Sequence, residues 1–518
     1  MTVPARHRSV ILSEADRALA ICAAEGPRRR YTPLKIRTLF NLQFLLLPLL
    51  LTGCMVGPKY KAPAVPTAPS FKEAEPFKDL PGWNVAKPED AIPRGDWWTL
   101  FNDPGLNALE PQIAAANQSL KVADANLRSA RAAIRIQNAN RYPTFGLNPN
   151  ILGERYSAQR PYFSAASANN GEADLLLPLD LNYEVDLWGA VRRNITAAKE
   201  ESQATAADRQ TILLSLQAEL ALDYFELRAA DAQQKLFNDT VAQYEEAVRI
   251  TRNRYVGGIA VKSDLTQAQT QLQDVKVQAA DVAIARAQYE HAIAILTGQP
   301  PSALTLPPSP LPLSDNPPPV PPGLPSALLE RRPDIAAAER RTAEANEQIG
   351  IARAAYFPSL NLSAEAGFES TALISLFDKS SFIYALGPAI AETFFDGGRR
   401  RGLSEEALAG YDLTTATYRQ TVLTAYQQVE DNLVALHVLA DEAEQQRQAT
   451  ASAQESERIF NNRYVGGVDT YLQVITAQTT ALNNERNDID ILRRRMDASV
   501  LLVKTLGGGW DRTQLPPQ

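Results

Sequence analysis

Asp174-Leu175-Leu176-Leu177-Pro178-Leu179-Asp180-Leu181-Asn182-Tyr183-Glu184-Val185-Asp186-Leu187-Trp188 is the stretch that decides the fold. Leu175, Leu177, Leu179, Leu181, Tyr183, Val185 and Leu187 take alternate positions. Asp174, Asp180, Asn182, Glu184 and Asp186 fall between them, together with Leu176 and Pro178. Successive side chains of a strand point to opposite faces, so this is a strand with one apolar and one polar face. Residues 359–369 repeat the pattern, with Leu360, Leu362, Ala364, Ala366 and Phe368 set against Asn361, Ser363, Glu365 and Glu369. A third run sets Phe145, Leu147, Pro149 and Ile151 against Thr144, Asn148 and Asn150. A weaker fourth carries Phe382, Tyr384, Leu386, Pro388 and Ile390. Such strands either pack their apolar face on a protein core or turn it to lipid while the polar face lines a lumen. Their length of about 10–14 residues suits a tilted membrane strand.

Four strands cannot close a barrel around a lumen. Open edges are not tolerated in lipid, where each unpaired backbone group costs several kcal/mol. The membrane reading therefore demands several copies, each adding four strands, without fixing their number.

Outward from the strands lie long helices. No proline occurs from Gly189 to Gln299 or from Ala389 to Leu515. Apolar residues recur at three and four, as in Leu213, Leu216, Leu220, Tyr224 and Leu227, and in Val422, Tyr426, Val429, Leu433 and Leu436. Residues 190–256 as one helix would run roughly 100 Å. Periodicity alone fits a coiled-coil rod equally well.

The chain is one unit written twice. Arg254-Tyr255-Val256-Gly257-Gly258-Ile259 returns as Arg463-Tyr464-Val465-Gly466-Gly467-Val468. Tyr142-Pro143-Thr144-Phe145-Gly146-Leu147 returns as Phe357-Pro358-Ser359-Leu360-Asn361-Leu362. Leu187-Trp188-Gly189-Ala190-Val191-Arg192-Arg193 aligns with Phe395-Asp396-Gly397-Gly398-Arg399-Arg400-Arg401. Each copy reads helix, strand, strand, long helix, turn, helix. Between them, residues 299–325 hold 12 prolines, which forbids helix and central strand and makes an extended linker. The Gly-Gly pairs allow the positive φ of a tight helical hairpin.

At the N-terminal side, Arg28, Arg29, Arg30, Lys35 and Arg37 precede the apolar run Phe40–Leu51, and Thr52-Gly53-Cys54 follow. Basic, apolar and small residues in that order read as a signal peptide. About 12 apolar residues are too few to span a bilayer. A twin-arginine route through Arg29-Arg30 is rejected, because barrel proteins cross unfolded. Residues 1–27 read as an over-extended start, although no Met lies between Met1 and Met55. Leu51-Thr52-Gly53-Cys54 resembles the bacterial lipobox, which makes Cys54 the lipidated mature N-terminus, and Met55 after it favours the outer membrane. A Pro-rich tether, residues 58–93, follows. The expected organisation is signal peptide 1–53, anchor and tether 54–95, first repeat 96–298, linker 299–325, second repeat 326–509 and tail 510–518.

Net charge is −7, and −12 once residues 1–53 are removed. That balance argues against nucleic acid, whose phosphates need Lys and Arg. Cys22 and Cys54 make no disulfide framework. His7, His291 and His437 form no zinc spacing, and Met1, Met55 and Met496 no thioether site. Gly507-Gly508-Gly509 lacks the Lys-Ser/Thr of a phosphate loop. No nucleophile-base-orienter set is present, so neither an enzyme nor a cofactor is expected.

Trp97-Trp98-Thr99-Leu100-Phe101-Asn102-Asp103-Pro104-Gly105-Leu106, Tyr183-Glu184-Val185-Asp186-Leu187-Trp188-Gly189, Arg331-Arg332-Pro333-Asp334-Ile335 and Phe357-Pro358-Ser359-Leu360 resemble the TolC-like outer membrane factors, closest to the NodT/CusC/OprM-type efflux lipoproteins. The resemblance runs from about Cys54 to Gly508. It implies a mainly α fold with membrane β: a homotrimer with a 12-stranded barrel in outer-membrane lipid above a 12-helix tunnel. It implies an exit duct for small molecules such as drugs and solvents. These arrive from an inner-membrane resistance-nodulation-division transporter through a periplasmic adaptor, the membrane fusion protein. A type I protein secretion duct and a lipid-anchored periplasmic coiled-coil scaffold are the alternatives.

By the same resemblance, Arg254, Tyr255, Gly257, Gly258, Arg463, Tyr464, Gly466 and Gly467 form the periplasmic tips that meet the adaptor. Asp264 matches an aspartate that bonds the tyrosine at Tyr464 and holds the aperture shut, although a helix N-cap explains Asp264 equally well. Asp469 stands where some members have an arginine. Gln473 and Thr476 stand where members carry aspartates, which makes the ring neutral. Leu472 matches an apolar constriction residue.

Overall fold

The computed structural model describes residues 55–73, 96–155, 157, 171–320 and 328–516. The expected signal peptide, Cys54, residues 74–95 of the expected tether, linker residues 321–327 and the last two residues lie outside the described part. The described residues all belong to one unit, Met55–Gln518.

The first copy opens with α1 (Pro104–Ala116), whose first turn is set by Asp103. The Asp103 carboxylate accepts from the N–H groups of Gly105 and Leu106, and Pro104 follows at the first helical position. Then come α2 (Gln118–Ala139), β1 (Thr144–Leu147), β2 (Asn150–Glu154), β3 (Glu172–Val185), α3 (Ala190–Val256) and α4 (Lys262–Leu296). The second copy runs α5 (Leu328–Arg331), α6 (Pro333–Ala354), β4 (Ser359–Ser370), β5 (Phe382–Ala391), α7 (Arg399–Val465) and α8 (Tyr471–Thr505). The repeats match in size as well as order: α3 and α7 have 67 residues each, and α4 and α8 have 35.

All strand pairs are antiparallel, in the order β1/β2-β3-β4-β5. The copies therefore meet at β3–β4, in the middle of the sheet. The sequence reads the first strand as continuous through Ile151; the structure breaks it into β1 and β2. Leu147 opposes Leu179 and Asn150 opposes Leu176, so the register carries through the break. Pro149 and Pro178 cannot donate to a ladder, which interrupts pairing without shifting it.

The same register aligns the apolar positions of all strands. Phe145 pairs with Leu181, Leu181 with Ala364, and Ala364 with Leu386. Ile151, Leu179, Tyr384, Leu386 and Ile390 are exposed. None of the three buried apolar clusters contains a residue of the sheet.

The main cluster lies lower, where α3, α7 and α8 pack with α1 and Trp97: Leu220, Phe225, Val422, Val429, Leu433, Val500 and Val503 are its centre. A second cluster sits near the helical turns and includes Phe237, Tyr244, Leu272, Tyr464 and Tyr471. Among the described residues no helix is long and apolar enough to cross a membrane.

Candidate duct wall and aperture

Each strand-to-helix junction is held by one aspartate. Asp186 accepts from the N–H groups of Val191 and Arg192, both at 3.0 Å, and also binds the Arg192 side chain. Asp396 does the same for Gly398 and Arg400 in the second copy. Each carboxylate thus satisfies the free N–H groups that open a long helix. Trp188 stacks on Phe357 with ring centroids 4.6 Å apart and donates to the Pro358 carbonyl at 2.7 Å, tying the copies together below the sheet.

The sheet has two unlike faces. On the polar one Asp180 stands opposite Glu365, Asn182 opposite Ser363 and Glu184 opposite Asn361. Like charges opposed across strands repel unless water screens them, so this face is built for an aqueous lumen. The other face is apolar and uncovered, and among the described residues no strand pairs with the outer edges of β1/β2 and β5.

The chain after Cys54 is pinned at this level. Val56 donates to the Trp188 carbonyl at 3.0 Å, and Met55 lies so close to Gly189 that a Cβ there would clash. Arg193, 1% exposed, donates to the carbonyls of Val56 at 2.7 Å and Pro58 at 3.3 Å and pairs with Glu347 at 2.6 Å. No local pattern announces this clamp, whose partners lie 135 to 154 residues away.

At the far ends of the long helices the two turns are built alike. Ile259 donates to the Arg254 carbonyl at 2.8 Å and Gly258 to Tyr255 at 3.0 Å; Val468 and Gly467 repeat this on Arg463 and Tyr464. These paired bonds are the Schellman closure. Only the second glycine of each pair takes positive φ, +74° at Gly258 and +77° at Gly467. Gly257 and Gly466 stay near −76° and −72°, so the expected use of Gly-Gly holds for one residue in each pair.

The aperture residues are arranged differently from what the resemblance implies. The Tyr464 hydroxyl is buried without a hydrogen-bond partner, so it does not donate to Asp264 here. Nor does Asp264 cap a helix: Val261 is the N-cap of α4, with no side-chain cap bond, and Asp264 lies in the first turn. There its charge suits the helix dipole.

A different contact joins the two tips. The Arg254 guanidinium lies over the Tyr464 ring, 4.7 Å from its centroid, and donates to the Val465 carbonyl at 3.1 Å. Tyr464 also packs on Tyr471, with ring centroids 5.1 Å apart. Burial pushes the Tyr471 hydroxyl up to about 12.

Asp469 pairs with Arg463 inside its own turn, and the guanidinium holds that carboxyl below its usual range. Leu472, Gln473 and Thr476 all sit exposed on the first turns of α8. Tyr255, Gly257, Gly258, Gly466 and Gly467 are exposed at the tips, whereas Tyr464 is buried.

The family model for outer membrane efflux protein matches residues 109–299 and 324–508, well over half of the chain. This chain belongs to the outer membrane efflux protein family. It is 32% identical over 478 residues to the outer membrane protein OprJ of Pseudomonas aeruginosa, covering 91% of this chain and 96% of OprJ. To the toluene efflux pump outer membrane protein TtgC of Pseudomonas putida it is 30% identical over 467 residues, covering 89% and 94%. The solved outer-membrane channel OprN superposes with a TM-score of 0.81 at 28% identity, over 88% of this chain and all of OprN. The open state of the Neisseria gonorrhoeae channel MtrE superposes with a TM-score of 0.76 at 27% identity, over 89% and 99%.

As an outer membrane efflux protein, the chain is a TolC-like channel of an efflux system. It sits in the outer membrane with its helical part extending into the periplasm. Together with the uncovered apolar face, this overturns the alternative of a periplasmic scaffold.

Proposed function

We propose that three copies close one 12-stranded barrel and form a passive exit duct with no catalytic role of its own. The observation that carries this reading is the sheet, four strands wide with β1 and β2 in line, whose apolar face is uncovered and whose two outer edges pair with no strand among the described residues. Lipid satisfies that face, and neighbouring copies satisfy the edges. Cys54 carries the lipid anchor, and the Arg193 clamp fixes the chain behind it to the foot of the sheet. An adaptor docks at Arg254, Tyr255, Gly257, Gly258, Arg463, Gly466 and Gly467, and hands over molecules from an inner-membrane resistance-nodulation-division pump. Substrates of the antibiotic and solvent class are supported by the relatives' names, such as the antibiotic efflux pump protein ArpC and the toluene pump protein TtgC.

The test is the mass of the detergent-purified mature protein, its N-terminal mass and its conductance in a planar bilayer. A trimer with an acylated Cys54 and small channel steps is expected. A conducting assembly of another size would refute the trimer, an unmodified Cys54 the anchor, and an absence of conductance the duct.

A further inference from the structure

A cavity of about 590 Å³ lies in the protomer between α3, α7, α8 and the Pro-rich linker. That volume falls within the range of small-molecule sites. Its linker wall is fixed at both ends. Leu311 donates to the Arg228 carbonyl at 3.0 Å and Ser309 to Asp231 at 2.7 Å, while Arg495 reaches Asn316 at 3.3 Å.

The charge lining the cavity is one-sided. Asp239, Glu457, Glu485 and Asp488 face it with Lys235 as the one cation. Lys235 is already taken by Asp239 at 2.6 Å. Arg447, which acts on Asp488 from outside the lining, is paired with Glu444 at 2.7 Å. Glu485 receives the Gln454 amide. Glu457 and Asp488 make no ion pair among the described residues. Burial raises both their pKa values, and the neighbouring Glu485 raises Glu457 further. A cation in the cavity would relieve both effects.

One further polar group is unspent. Gln478 lines the cavity, is 7% exposed, and its side-chain oxygen is buried without a partner. Buried polar groups are nearly always bonded, so this orphan marks a place where a ligand can supply a partner. Leu236, Leu313, Leu482 and Ile489 supply apolar walls. Among the described residues no three carboxylates or imidazoles converge as metal ligands. Dispersed carboxylates beside apolar walls suit a large cation of diffuse charge rather than a metal ion.

We propose that this cavity is a binding site for an amphipathic organic cation, with its charge among Glu457, Glu485 and Asp488, its body on Leu236 and Leu482, and a hydrogen-bonding group on Gln478. All of its lining residues come from one chain. Binding here braces the linker against α7 and α8.

The probe is ethidium, titrated by fluorescence anisotropy into the full mature protein held in amphipol, with neutral N-phenylnaphthylamine as the control for nonspecific partition. Saturable ethidium binding is expected. Glu457→Gln with Asp488→Asn should weaken it by about tenfold or more, roughly 1.4 kcal/mol. Leu313→Trp should also abolish it, because this exposed residue fills the cavity without touching its charges. All variants are compared at wild-type oligomer mass. No saturable component in the wild type would overturn the proposal. Equal affinity in wild type and the double variant would overturn it as well, since the charge would then play no part.

Discussion

Replacing Arg254 with alanine should open the aperture. The side chain makes two contacts to the other repeat's tip, the face of Tyr464 at 4.7 Å and the Val465 carbonyl at 3.1 Å. A partly desolvated cation–π contact is worth about 1–2 kcal/mol, and a hydrogen bond from a charged donor about 1.5–3 kcal/mol. Opening that parts the tip of α3 from that of α7 breaks both. Even a loss of about 2 kcal/mol per protomer shifts the opening equilibrium roughly 30-fold. Single-channel recording should show a higher open fraction for Arg254→Ala. Tyr464→Phe is the discriminating control. It removes only a hydroxyl that has no partner and keeps the ring under Arg254, so its open fraction should stay within about twofold of wild type by the same arithmetic. An unchanged Arg254→Ala channel would refute the latch. A Tyr464→Phe channel as open as Arg254→Ala would restore the phenol–carboxylate lock that the resemblance implies.

Glu110, fully buried on α1 with no partner for either oxygen, has its carboxyl pushed up to about 9 by burial. A raised carboxyl binds its proton more tightly folded than unfolded. Its stability contribution is therefore complete below the unfolded value of 4.5 and is lost as pH rises towards 9. Between those limits the loss is about 1.4 kcal/mol per pH unit. Glu110→Gln should raise the thermal midpoint at pH 8 and flatten its fall from pH 6 to 8.5; parallel curves for both proteins would contradict this. At the tips, Gly258→Ala should cost about 1–2 kcal/mol, because an L side chain resists positive φ, whereas Gly257→Ala should be near neutral. Thermal midpoints that drop equally would show that φ is not the cause.

The elements were legible because their signals are local. The proline-free stretch, closed by Gly-Gly, predicts a helix over residues 190–256, and α3 has those ends. The offset between repeats carries the same length to α7. The alternation from Asp174 to Trp188 gives both faces of β3, and the register extends them across the sheet. What failed was contact between distant residues. The partners Arg254 and Val465 are 211 residues apart, and neither carries a mark of the other. By the resemblance Arg254 read as a tip residue that meets the adaptor, and that reading carried no pointer to Tyr464 or Val465. Only its repeat-mate Arg463 stays within its own turn, on Asp469. The break at Pro149 was legible in principle, since the ring removes a donor, but alternation outweighed it.

The meeting of the two repeats at β3–β4 bears on the order of events in biogenesis. The seam inside a chain forms at first-order rate, whereas the seams at β1/β2 and β5 wait for an encounter between chains. A newly exported protomer can therefore fold its helices in water, but it carries a half-finished wall whose greasy side attracts any sticky surface. Insertion and association must then finish together, and the interval before they do is when the cell would most need a holdase to shield this chain.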